Sequence, residues 1–394
     1  MPFKRWESWT LVALVMLGGA LRYSSAWNAP QEVIEYQEFI PGAMTLSWDH
    51  HPIRLAQHGA LPHYFIRLSA WLFGETPFGF RALSVCAGTA TILMLYLIGA
   101  RWWGPRAGLV AAGLLAVERY HIAVSGRAID LPFDLFFTTV AIYCLSRFLQ
   151  ATEGAARPPT AGRWLYGAVA ATSAGFLCKE FAALMIPAGF LMLVFTGRAA
   201  WLRRREPWVA ALLFAALISA DVYSNLTTTQ ADRMVLLARQ KQVMQELGID
   251  LRESDYSNGL YMSYADHLSR FDSLSFSSEP FYFYFGDVLD AIGVPHTNEF
   301  DEFPYLNALM GIVLWSSVVA AALLRPRDSL TVLLIVMFVT MFLPFAVLQL
   351  GPPRSKLPTD ASALWYWVDR TMLPAMLLAG HMITRLLSRG ARFA

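Results

Sequence analysis

Ten apolar runs, each near the length that crosses a bilayer, alternate along this chain with loops that are by turns arginine-rich and acidic. A helix needs about 20 apolar residues to cover the hydrocarbon core. The runs fall at about 9–23, 80–100, 107–123, 131–149, 164–178, 181–197, 208–223, 305–324, 329–349 and 371–387. The pattern predicts an all-α integral membrane protein of about ten transmembrane helices. Composition agrees: 56% of residues are hydrophobic and 15% charged, where soluble domains carry roughly a quarter charged residues.

Basic residues cluster in the cytoplasmic loops of helical membrane proteins. Threaded with the N-terminus inside, the chain puts Lys4 and Arg5 there, with Arg101 and Arg106 in the next inner loop. Arg147, Arg157 and Arg163 follow, then Arg198 and Arg203 to Arg205, Arg325 and Arg327, and finally Arg385, Arg389 and Arg392. The other face takes the acidic stretches. Both termini are therefore expected in the cytoplasm, with the first apolar run kept as an uncleaved span. A single polytopic domain over 1–394 is expected. It has two large outer segments, 22–77 and 224–304. Within the first, Leu61 to Gly74 is amphipathic and too short to span, so it is expected along the membrane interface. In the second, residues 230–247 are expected to be helical. Asn225-Leu-Thr227 is a weak glycosylation pattern. Cys86, Cys144 and Cys178 lie in or beside apolar runs and are expected to be buried small hydrophobes.

Candidate chemistry gathers on the outer side. Glu32, Glu35 and Glu38 follow the first run, with Asp49, His50, His51 and His58 further on. An acid at the mouth of a membrane cavity can take the proton from an acceptor hydroxyl as that oxygen attacks an activated carbon; the bland alternative is a set of solvated loop charges. The histidines lack the spacing of a zinc site, which leaves an acid-bound divalent ion as the metal alternative. Arg127, Lys179 and Arg370 sit at the outer ends of apolar runs, where a charge is costly unless paired or functional. Local pairing would join Arg127 to Asp130, Lys179 to Glu180 and Arg370 to Asp369. The functional alternative is a lipid phosphate at that depth, neutralised by these cations.

Four stretches in order then resemble the polytopic glycosyltransferases of the GT-C superfamily, above all glycosyltransferase family 39 with its protein O-mannosyltransferases and lipid A aminoarabinose transferases. They are His58 through Pro62 and Tyr64 to Leu72-Phe73-Gly74, Pro77 and Arg81; Tyr120-His121 with Ser125-Gly126-Arg127; Leu177-Cys178-Lys179-Glu180; and Arg370 through Pro374. The family carries a catalytic acid in its first outer loop, usually as Asp-Glu; this chain has Ile34-Glu35 there.

The resemblance implies inverting sugar transfer from a polyprenyl-phosphate carrier to a lipid, glycan or protein acceptor on the outer side. It implies Glu35 as base, and Lys179, Arg127 and Arg370 as holders of the phosphate. His58 would be a supporting partner, with Glu32, Asp49 and Glu180 as further candidates. The resemblance implies no essential metal; no cofactor and no nucleic-acid partner are expected. The rival is a non-catalytic membrane subunit, or a lipid-carrier-binding or flippase-associated protein, on the same fold. The isoleucine at position 34 favours it. The paired broken helices of secondary transporters are not evident.

Overall fold

The structure is a computed structural model that describes residues 5–29, 35, 39–46, 54–55, 58–153, 161–227, eight positions between 235 and 246, 273–274, 308–324, 328–349 and 369–390.

 The positions between 235 and 246 are 235, 238–239, 241–243 and 245–246, and those are helical. Glu32 and Asp49 lie outside the described residues, as does nearly all of the 224–304 segment beyond Thr227.

In hydrocarbon no water can satisfy a backbone N–H or C=O, so a spanning chain closes its hydrogen bonds within helices. Each of the ten apolar runs is largely helical among the described residues. Helix α1 spans Arg5–Asn28, and the short α2 spans Ile40–Met44. A two-residue ribbon follows, β1 Arg54–Leu55 against β2 His58–Gly59. Then come α3 Leu61–Phe73, α4 Pro77–Trp103, α5 Pro105–Val117, α6 Arg119–Ser125, α7 Leu131–Ala151 and α8 Ala161–Cys178. A 3-10 turn, Glu180–Leu184, leads into α9 Met185–Phe195, and α10 is Arg205–Thr227. The last three are α11 Ala308–Leu323, α12 Ser329–Val347 and α13 Met372–Gly390. A second small ribbon pairs Ser273–Leu274 with Leu348–Gln349. Among the described residues α4, α7 and α10 are long and apolar enough to cross a membrane unaided, and α5 with α6 would make a fourth, bent span. The protein is an all-α integral membrane protein.

The run at 107–123, expected as one helix, is broken. The axes of α5 and α6 meet at 64°. Glu118 adopts an extended conformation at the break, and its carboxylate accepts from the Tyr120 and His121 N–H groups at 2.9 and 2.5 Å. An acid that caps the next helix ends the previous one. The break leaves α5 carbonyls without helical partners. Arg22, fully buried on α1, donates to the Leu115 and Ala116 oxygens at 2.9 and 3.3 Å and takes their place.

Small residues bring the helices close, as they do in membrane bundles generally. A Cβ on Gly108 of α5 would lie 2.6 Å from the Tyr96 carbonyl oxygen of α4, so these two helices touch backbone to backbone. On the other side of α5, Gly380 of α13 comes as near to the Ala107 oxygen. Helix α7 packs along α8, and α8 against α10. Helices α1 and α10 turn bulky apolar side chains outward, among them Trp9, Met16, Leu212 and Leu226. Such faces belong against lipid.

The amphipathic stretch after residue 60 forms α3 as expected. Its His63, Ile66, Ser69 and Ala70 are buried, and Leu68, Trp71, Leu72 and Phe73 are exposed. Ser69 fixes it to α4, donating to the Gly79 oxygen at 2.6 Å and accepting from the Leu83 N–H at 3.0 Å. Two lesser expectations change. Cys86 is exposed, while Cys144 and Cys178 are buried as expected. Asn225 of the glycosylation pattern is buried near the end of α10, a poor position for a modification acceptor.

Candidate active site

Charges that stand inside apolar runs converge at one end of the bundle. Helices α1, α5 and α8 end there, and α4, α7 and α13 begin there. Five buried cations, Arg22, Arg81, Arg127, Lys179 and Arg370, meet four buried acids, Glu35, Glu118, Asp130 and Asp134. Among the described residues the buried cations here outnumber the buried acids by one. An ion taken from water loses several kcal/mol of solvation, so each must find a partner.

Glu35 is completely buried and held from two sides. Arg81, in the first turns of α4, grips it bidentately, Nε to Oε1 at 2.8 Å and Nη2 to Oε2 at 2.5 Å. The Ala128 N–H donates to Oε1 at 2.6 Å. Arg81 also donates through Nη1 to the Ala26 and Ala29 oxygens at 3.0 and 3.1 Å. Planar guanidinium and carboxylate match each other in this fork geometry, which makes the pair both strong and directional.

Asp130 stands at the start of α7 without a side-chain cap bond, and Asp134 lies one turn on, so the two share a helix face. Lys179, just past the end of α8, reaches Asp130 at 3.4 Å. Arg370, before α13, pairs with Asp134. Cys178 is near enough to Asp130, Asp134 and Arg370 to feel their charges, so both pairs occupy one neighbourhood. Glycine makes this approach possible: a Cβ on Gly175 of α8 would stand 3.3 Å from an Asp134 oxygen. The ion pairs recorded for Lys179 and Arg370 therefore run between helices, where the sequence suggested pairing with the neighbours Glu180 and Asp369. Helix α7 packs along α8, and the Arg370 side chain reaches Asp134 from the 3-10 turn before α13. Glu180 opens the 3-10 turn and is half-buried. Arg127 is buried in the segment that joins α6 to α7.

His121 adds a neutral polar group. Its Nδ1 lies 2.8 Å from Arg22 Nη2 and 3.1 Å from Ser125 Oγ. Arginine only donates, so Nδ1 accepts and the ring proton sits on Nε2. His58 stands in β2, paired with Leu55. The ribbon abuts the end of α8: a Cβ on Gly59 would collide with the Leu177 oxygen, two residues before Lys179. Among the described residues no group of three His, Cys, Asp or Glu side chains could hold a metal ion.

The sequence reading singled out Glu35, Arg127, Lys179 and Arg370, and these four gather at this end. It passed over Asp134, Arg22 and Glu118, and it quoted Arg81 only as part of a motif. One signal was available for all of them: a charge inside or at the rim of an apolar run.

This arrangement defines a class: a polytopic helical membrane protein with buried, paired charges gathered at one end of its bundle. Comparison with known proteins narrows it. The family model described as dolichyl-phosphate-mannose-protein mannosyltransferase matches residues 57–223. The chain is 28% identical over 333 residues to the undecaprenyl phosphate-alpha-4-amino-4-deoxy-L-arabinose arabinosyl transferase of Pseudomonas aeruginosa, covering 83% of this chain and 50% of that one. It is 31% identical over 157 residues to the polyprenol-phosphate-mannose–protein mannosyltransferase of Corynebacterium glutamicum, covering 36% and 29%. Among solved structures, the apo oligosaccharyltransferase of Archaeoglobus fulgidus superposes with a TM-score of 0.55 at 13% identity, over 99% of this chain and 52% of that one. ArnT from Cupriavidus metallidurans, solved bound to undecaprenyl phosphate, gives a TM-score of 0.54 at 17% identity, over 94% and 59%. The chain thus spans about half the length of the curated relatives it matches over most of its own. The resemblance to GT-C glycosyltransferases holds in sequence and in fold.

The ion pairs carry a direct expectation for stability. Asp134→Leu strands the Arg370 guanidinium and should cost about 3–5 kcal/mol. Asp134→Leu combined with Arg370→Leu should recover most of that loss, because an apolar pair leaves no charge unmatched. Thermal unfolding in detergent measures both. Equal destabilisation in the single and double variants would show that the two residues are not coupled.

Proposed function

We propose that this chain is a glycosyltransferase that moves a sugar from a polyprenyl-phosphate carrier to an acceptor at the outer face of a plasma or inner membrane. The observation that carries the reading is the set of buried cations, Arg127, Lys179 and Arg370, held at one end of the bundle. The leaving group of such a transfer is a lipid phosphate, and preorganised cations in a low-dielectric site stabilise the charge it gains. Asp130 and Asp134 hold two of the cations in place before the phosphate arrives. The relatives named for undecaprenyl- and polyprenol-phosphate donors support the same choice of donor. In this reading the chain is one polytopic domain of about ten spans with both termini in the cytoplasm. The acidic 224–304 segment then lies outside together with the site, and His58 and Glu180 flank Lys179. Glu32 and Asp49 remain candidates for groups at the acceptor side.

Glu35 is the acid the reading offers as base. One observation favours the non-catalytic alternative, a carrier-binding subunit on the same fold: both Glu35 oxygens are taken by Arg81, and Oε1 by the Ala128 N–H as well. A base needs a lone pair turned toward the acceptor's proton.

Purified protein assayed with labelled polyprenyl-phosphate sugars separates the two readings. Lys179→Ala should weaken donor binding by roughly 1.5–3 kcal/mol, the loss of one charge-assisted contact. If Glu35 is the base, Glu35→Gln should bind donor nearly as the parent does and turn over at least about a hundredfold more slowly. A parent that binds donor and transfers nothing would establish the non-catalytic alternative. Unchanged donor binding by Lys179→Ala would remove the phosphate site from both. For topology, a cysteine placed at Ser257 should react with an impermeant reagent from the outside; reaction from the cytoplasmic side alone would invert the scheme.

A further inference from the structure

We infer that Glu35 and Arg81 are positioning residues: they set the segment 126–130, and through it Arg127 and Asp130, by way of the Ala128 amide. The inference rests on the donor-site reading for its functional consequence, and on geometry alone for the positioning itself.

The segment between α6 and α7 is five residues long and carries two of the charges at the site. Val124 accepts the Arg127 N–H at 3.2 Å, a bond within the segment's own turn. Glu35 Oε1, accepting from Ala128 at 2.6 Å, ties it to a distant part of the chain. Glu35 is in turn referenced to α4 by the fork of Arg81, and the same guanidinium grips the end of α1 at the Ala26 and Ala29 oxygens. Gly126 presses on that same stretch, where a Cβ would come within 2.9 Å of the Ala26 nitrogen. One arginine thus fixes α1, α4 and the 126–130 segment to one another. At the segment's far end, Asp130 meets Lys179. Ala128 lies between Arg127 and Asp130, so displacing its amide moves both side chains. A carboxylate whose two oxygens face a guanidinium and an amide is shaped to hold those donors.

The test uses the full chain in lipid nanodiscs. Glu35→Leu with Arg81→Leu removes both charges together, so no buried ion is orphaned, and it also removes the acceptor for the Ala128 N–H. Glu35→Gln with Arg81→Leu removes the charges and keeps a carbonyl oxygen for that N–H. Hydrogen exchange across 126–130 and the affinity for undecaprenyl phosphate are measured for each. The double-leucine variant should exchange at least tenfold faster over 126–130 and bind undecaprenyl phosphate at least tenfold more weakly. The glutamine variant should stay within threefold of the parent in both. A double-leucine variant that exchanges and binds like the parent overturns the inference, and so does a glutamine variant that behaves like the double-leucine one. Should the double-leucine variant fail to fold, the glutamine variant decides: protection within threefold of the parent supports the inference, and its loss overturns it. If the parent binds no undecaprenyl phosphate, the donor reading fails, and the exchange rates still decide the positioning role.

Discussion

Charge buried at the end of a helical bundle must be matched, and that requirement organises this protein. Nine buried ionisable side chains stand where six helix ends meet. Four pairings can be traced from them. Arg81 holds Glu35, Lys179 holds Asp130 and Arg370 holds Asp134, while Arg22 caps the broken end of α5 beside Glu118. Each pairing joins segments far apart in sequence. In a membrane bundle the hydrophobic effect does not sort helix against helix, because lipid is as apolar as the side chains. Close glycine contacts and these polar links then specify which helix lies beside which.

The same constraint explains the break in the third apolar run. An unbroken helix from 107 to 123 would carry Glu118 inside it with no partner for its charge. By turning out of the helix at Glu118, the chain lets that carboxylate cap α6, and lets Arg22 satisfy the freed carbonyls of α5. The redirected α6 delivers His121 and Ser125, and the segment after it Arg127, to the charged end of the bundle.

Much of the fold was legible in the sequence because apolar length and arginine placement are direct consequences of the bilayer. All ten runs are largely helical among the described residues, the third one broken in two, and α3 has the two faces its pattern predicted. Four of the charges at the end of the bundle were also singled out, since Glu35, Arg127, Lys179 and Arg370 sit at the rims of runs. Their partners were not. Asp134 is 236 positions from Arg370 in the chain, and nothing local marks the pair. Neighbouring opposite charges, Lys179 beside Glu180 and Asp369 beside Arg370, offered a simpler answer than tertiary packing chose. The break at Glu118 was hidden because hydropathy averages over one charge. Counting each charge inside an apolar run as a demand for a distant partner would have exposed Asp134, Arg22 and Arg81 together.

The central claim is that the buried cations form the seat of a lipid phosphate. A structure of the full chain in nanodiscs with undecaprenyl phosphate tests it most directly. The account predicts phosphate oxygens within about 3 Å of at least two of Arg127, Lys179 and Arg370, with Asp130 and Asp134 still adjoining those cations. A headgroup bound instead beside the arginines at 198 and 203–205, at the opposite ends of the helices, would contradict it.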